Sequence, residues 1–198
     1  MLNIPVILGS VREGRSSYFP AKFVMDKIMA AGHTSTLVDF KEMPLPFFNS
    51  PLMPSQMKGK YPEPNIQKWS EIAYNADAFV IVTPEYNHGY PGVLKNALDW
   101  LYFEFDHKPV GLVGVSDGTV GGARVIEQLR PIMENFSMFA IRETVMFIKA
   151  PSAFDQDGKL LEEVFNKKVD GLINSLVSVA EVMKAYPRVK RPEGNDKI

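Results

Sequence analysis

Residues 78–101 read AFVIVTPEYNHGYPGVLKNALDWL. The run from Ala78 to Thr83 is apolar and β-branched and stops at Pro84, the pattern of a short buried strand. A loop rich in polar, aromatic and glycine residues follows. Pro91 then suits the first turn of a helix, and Leu94, Ala97, Leu98 and Leu101 recur as an apolar stripe at helical spacing. Strand, polar loop and helix in this order make half of a βαβ unit.

The same grammar repeats on both sides. Leu2 to Leu8 is a strand that stops at Gly9, and a helix follows through Phe19, Phe23, Val24, Lys27, Ile28 and Ala31 to Gly32. Ser35 to Asp39 reads as a second strand. Pro44, Pro46, Pro51, Pro54, Pro62 and Pro64 predict an irregular loop over residues 43–65. Its Phe47, Phe48 and Tyr61 offer apolar surface for a lid, a dimer contact or plain surface packing. Ile66 to Asn75 reads as a helix, Pro109 to Val115 as strand four, and Gly121 and Gly122 lead into a helix from Val125 to Phe136. Met138 to Ile148 contains strand five, and Leu161 to Tyr186 is a closing amphipathic helix. Alternation of this kind predicts an α/β fold: a doubly wound, five-stranded parallel sheet with right-handed crossovers and helices on both faces. Residues 1–186 read as one domain and 187–198 as a polar tail.

Composition narrows the chemistry. The chain has 198 residues, 45% hydrophobic and 23% charged, which is the balance of a globular domain. Its 22 basic and 23 acidic residues leave a net charge of −1, without the broad basic footprint of a nucleic-acid binder. It has no cysteine, so thiolate nucleophiles, disulfides and iron–sulfur clusters are excluded and redox chemistry requires a cofactor. No apolar run approaches the roughly 18 residues of a membrane span, so a cytoplasmic protein is expected.

In a doubly wound sheet, ligands bind beyond the carboxyl ends of the strands. The loop after strand one, Gly9 to Ser17, combines two glycines, two arginines and three serines just before a helix. Backbone N–H groups, the helix dipole and serine hydroxyls would stabilise a phosphate there, with Arg12 adding charge. The competing reading makes Ser16 or Ser17 a simple helix cap. Gly9 and Gly14 also nearly spell a nucleotide-binding P-loop, but Arg15 stands where the lysine belongs.

Thr83 to Gly92 suits a planar heteroaromatic ring. Tyr86 to Gly89 offers amide donors for the negative charge of a reduced flavin, and an aromatic face. The competing reading is a proline-rich turn with Tyr86 packed and His88 exposed. The third loop, Ser116 to Gly122, is glycine-rich enough for close backbone approach to a ligand at the ring's other flank. Gly114, Ser116 and Gly118 match a hydrolase nucleophile elbow, yet all three histidines (His33, His88, His107) precede Ser116, against the chain order of that family. Their scatter also predicts no metal site.

Pro84, Glu85, Tyr86, Asn87, Gly89, Pro91, Leu94, Lys95, Asn96, Ala97, Asp99 and Trp100, with Gly9, Ser10, Val11 and Arg12, carry a likeness. Over roughly residues 3–180 the chain resembles the NADPH-dependent FMN reductase family, which includes flavin-dependent quinone and azo reductases. The resemblance implies a flavodoxin-like fold and FMN as cofactor. Ser10, Arg12 and Ser17 would hold its phosphate, with Arg15 a departure at a position where serine is common. Pro84, Glu85, Tyr86, Asn87, His88 and Gly89 would hold the ribityl chain and ring, and Ser116, Asp117, Gly118 and Gly121 the ring's far side. It also implies a homodimer or homotetramer, with Tyr102, Phe103 and Phe105 either facing a neighbour or packed in the core.

The resulting expectation is a ping-pong reductase using NADPH or NADH, in which hydride passes through FMN to a quinone, azo compound or free flavin and no side chain is catalytic. The alternative is a flavodoxin-type electron carrier, or a flavin-binding module without turnover of its own.

Overall fold

The computed structural model describes residues 1–186; the predicted polar tail, 187–198, lies outside them. The strands are β1 (Val6–Leu8), β2 (Leu37–Asp39), β3 (Phe79–Pro84), β4 (Pro109–Val115) and β5 (Phe139–Phe147). They alternate with α1 (Tyr18–Ala30), α2 (Pro64–Tyr74), α3 (Gly92–Asp99), α4 (Ala123–Asn135), the short α5 (Ala150–Ala153) and α6 (Val164–Lys184). All pairings are parallel and the order is β2-β1-β3-β4-β5, a flavodoxin-like doubly wound sheet.

Period-two alternation sends the strand side chains to two cores. Ile7, Phe79, Ile81, Val110 and Leu112 join residues of α2, α3 and α4 on one face. Val6, Leu8, Val80, Val82, Val113 and Val115 join α1, α5 and α6 on the other. Every residue of β3 and β4 is buried, as their unbroken apolar runs require.

Several details differ from the sequence reading. β1 is shorter than Leu2 to Leu8 because Pro5 has no N–H for the ladder, although an Asn3↔Thr34 bridge extends the pairing. Pro64 does not prolong the irregular loop but starts α2, where a missing N–H costs nothing. A 3-10 turn at Pro54–Gln56 also interrupts that loop. Pro91 sits at the N-cap of α3, one residue before its first turn.

The 43–65 loop is strapped to α3. Asn96 accepts from the Phe48 N–H and donates to the Pro46 carbonyl, which also accepts from Trp100 Nε1 at 2.8 Å. Phe48 packs edge-on against Trp100, while Phe47 is 82% exposed. Phe105 belongs to the core, against Trp69, Phe79 and Phe136, and Tyr102 is exposed. On β5, an edge strand, the register slips between Val110↔Ala140 and Leu112↔Thr144, and this irregularity blunts the edge. Among the described residues no helix is long and apolar enough to cross a membrane.

Candidate functional site

β1 lies between β2 and β3, the point where the chain switches the direction in which the sheet grows, and the loops leaving β1, β3 and β4 converge there. The first loop lies tightly on β3. Gly9 N–H donates to the Val82 carbonyl, and a Cβ at Gly9 would stand 2.6 Å from Thr83 Oγ1. Ser10 is buried, its hydroxyl 2.7 Å from the Tyr86 hydroxyl.

Ser17 sits at the N-cap of α1 without a side-chain capping bond, and its buried hydroxyl has no partner among the described residues. The simple-cap reading therefore fails for Ser17. Arg15 pairs with Asp39 at the end of β2 through Nη2, while its buried Nη1 has no partner among the described residues. An unsatisfied buried hydroxyl and guanidinium nitrogen beside a helix N-terminus with no acidic residue in its first turn are what an incoming phosphate would satisfy. The donor set thus fits the phosphate of a nucleotide-like cofactor. Farther out, Glu13 pairs with Lys41 at 2.8 Å. The Lys41 ammonium, by its hydrogen bond and then its charge, holds the Glu13 carboxyl below the usual carboxylate range.

The second loop is a tight two-residue turn. Tyr86 and Gly89 exchange two backbone hydrogen bonds of 2.9 Å, and Asn87 (φ 50°) and His88 (φ 68°) occupy the left-handed region between them. The Asn87 and His88 N–H groups between these paired donors have no acceptor among the described residues. The Glu85 carboxylate accepts from the Arg124 N–H and from Arg124 Nη1, each at 3.1 Å. Gln128 Nε2 donates to the His88 carbonyl at 2.8 Å.

In the third loop, Ser116 Oγ accepts from the Gly121 N–H at 2.9 Å and donates to the Gly118 carbonyl. Asp117 accepts from Ser16 Oγ. Gly114 and Gly121 are packed closely, whereas a Cβ on Gly118 would meet nothing nearer than Ser116 Oγ at 4.0 Å. A Cβ on Gly121 would lie 2.6 Å from Met146 Cβ, and one on Gly114 would lie 2.5 Å from the Gly121 carbonyl oxygen. Neighbouring protein is by itself enough to require glycine at 121.

A cleft of about 280 Å³ gathers Arg12, Arg15, Ser16, Ser17, Pro84, Glu85, Tyr86, Ser116, Asp117 and Gly118. Of the expected site residues, Ser10 stands behind Tyr86, and Asn87, His88, Gly89 and Gly121 lie outside the lining. A larger hollow of about 980 Å³ shares Arg12, Arg15, Ser16 and Asp117 and runs toward β2 and Phe154. No residue of the second loop borders it, so the smaller cleft carries the functional reading. Asp39, Arg124 and Gln128 were not legible as site residues, because each acts through a partner distant in sequence. Among the described residues no group of three His, Asp or Glu side chains could hold a metal ion.

Comparison with known proteins places the chain among flavin-dependent reductases by family model. The family model described as NADPH-dependent FMN reductase matches residues 2–152. The NAD(P)H-dependent FMN reductase LOT6 of Saccharomyces cerevisiae is 33% identical over 150 residues, covering 71% of this chain and 78% of that one. The NAD(P)H:quinone oxidoreductase of Solanum tuberosum is 29% identical over 192 residues, 93% of this chain and 95% of that one. In structure, the flavoenzyme NAD(P)H:(acceptor) oxidoreductase FerB of Paracoccus denitrificans shares the fold, with a TM-score of 0.77 at 23% identity over 92% of this chain and 99% of that one.

Proposed function

The chain belongs to the NADPH-dependent FMN reductase family, and from that premise we infer that it is an FMN-dependent NAD(P)H oxidoreductase acting through one flavodoxin-like domain over residues 1–186. The observation that carries the reading is the pair of unsatisfied buried polar atoms, Ser17 Oγ and Arg15 Nη1, at the start of α1 beside the second loop.

Arg12, Arg15, Ser17 and the N-terminus of α1 hold the phosphate in this reading, and Ser10 sets Tyr86 against the cleft. The Asn87 and His88 N–H groups, on the rim beyond the cleft's lining, are the donors this reading assigns to the polar edge of the ring. Ser116, Asp117 and Gly118 border the opposite side. Bound FMN would supply the redox chemistry between NAD(P)H and an acceptor. The protein contributes orientation and fixed dipoles, so no side chain is required as nucleophile or metal ligand.

Quinones are the first acceptors to test, since relatives carry quinone reductase names, with azo compounds and free flavin next. A homodimer or homotetramer in the cytoplasm completes the proposal. The test is the visible spectrum of purified protein before and after FMN, then NADPH, then menadione. Flavin bands that bleach with NADPH and recover repeatedly with menadione are expected. A colourless protein that takes up no FMN would overturn the reading, and bleaching without turnover would leave an electron carrier.

A further inference from the structure

The turn assigned to the flavin ring is held from outside the cleft, by one face of α4. This helix starts after Gly121 and Gly122, which offer no capping side chain, and its first turn has no acidic residue. Glu85 supplies the missing anion from the preceding crossover, accepting from both the N–H and the guanidinium of Arg124. One turn farther along, Gln128 donates to the His88 carbonyl at 2.8 Å. Residues 124 and 128 are four apart and share a helix face, so the two contacts form a clamp that brackets Tyr86 and Asn87.

What lies inside the clamp needs holding. Asn87 and His88 both have positive φ, a conformation that costs a non-glycine residue on the order of 1 kcal/mol. Their two N–H groups have no acceptor among the described residues.

We infer that Arg124 and Gln128 are positioning residues for FMN: through Glu85 and the His88 carbonyl they hold the left-handed turn whose free N–H groups serve as donors to the ring. This rests on the function proposed above. Donors of this kind favour the reduced, more negative flavin over the oxidised one, so a loosened turn weakens binding and lowers the reduction potential.

Gln128 is solvent-exposed, so Gln128→Ala removes the contact without touching the core. Amide hydrogen exchange on cofactor-free protein comes first. Exchange at Tyr86 and Gly89 is expected to quicken about tenfold in Gln128→Ala, with β3 and the rest of α4 unchanged, and to recover in Gln128→Lys, which restores a donor. The Kd for FMN should rise roughly three- to tenfold in Gln128→Ala, with a more negative reduction potential, both recovering in Gln128→Lys. Arg124→Ala should act in the same direction. Unchanged exchange at the turn would overturn the inference, as would a loosened turn with unchanged FMN affinity and potential. If the unaltered chain bound no FMN while Gln128→Ala still loosened the turn, the proposed function would fall and the clamp would stand.

Discussion

Ser16 Oγ donates to Asp117 Oδ1 at 2.9 Å, joining the loop after β1 to the loop after β4 across the mouth of the cleft. Both residues line the small cleft and the larger hollow beside it, so this hydrogen bond lies on the boundary between them.

The same contact places a carboxylate beside the proposed phosphate site, where it opposes a dianion. Asp117→Asn keeps the acceptor oxygen for Ser16 and removes the charge. FMN affinity is expected to rise roughly two- to fivefold at low ionic strength and to converge with the unaltered protein in high salt. Flavin fluorescence titration at two salt concentrations checks this. Weaker binding by the Asn variant would mean that the carboxylate contacts the ligand directly.

Ser17 should behave as a residue kept for binding at no benefit to the empty fold. Its buried hydroxyl has no partner among the described residues, so Ser17→Ala is expected to leave cofactor-free stability unchanged or raise it by up to about 1 kcal/mol. FMN affinity should fall about tenfold or more, because a hydrogen bond to an ionised phosphate is lost. Thermal melts with and without FMN separate the two effects. A variant that melts lower in both states would make Ser17 a structural cap after all.

Gly9→Ala probes the seating of the first loop on β3. The added Cβ would meet Thr83 Oγ1 at 2.6 Å and Thr83 Cβ at 2.8 Å, and the latter is anchored in a buried strand. A cost of about 1–3 kcal/mol in chemical denaturation is expected, with FMN binding weakened as the loop lifts. Unchanged stability would show that the loop can shift without loss.

Much of this was legible in the sequence, for reasons that particular residues make plain. Pro109 to Val115 was read with the bounds the strand has, because all of its residues are buried and the apolar run has no interruption. Pro64 was misread because proline both breaks helices and starts them, and the preceding Pro62 favoured the first meaning. The site was legible as three loops but not as contacts. Arg15 meets Asp39 across 24 residues, Glu85 meets Arg124 across 39, and Ser16 meets Asp117 across 101. Such pairs exist only once the sheet order brings the loops together, and periodicity says nothing about them. The steric demand for glycine at 121 was not legible either, because Met146, which imposes it, arrives from β5.

The outermost pair gives a pH signature with a definite sign. Lys41 lowers the folded-state pKa of Glu13 below its ordinary value. A depressed carboxylate contributes stability that is present above the unfolded pKa and is lost as pH falls through the folded one. Melting temperatures of the unaltered protein and of Glu13→Gln should therefore differ by a constant, small amount from neutrality down to about pH 5, and converge in more acid solution. Because Glu13 is exposed, the difference should also vanish near 1 M salt, where the screening length is only about 3 Å. A gap that persists at high salt and low pH would show that Glu13 acts through packing and not through its charge.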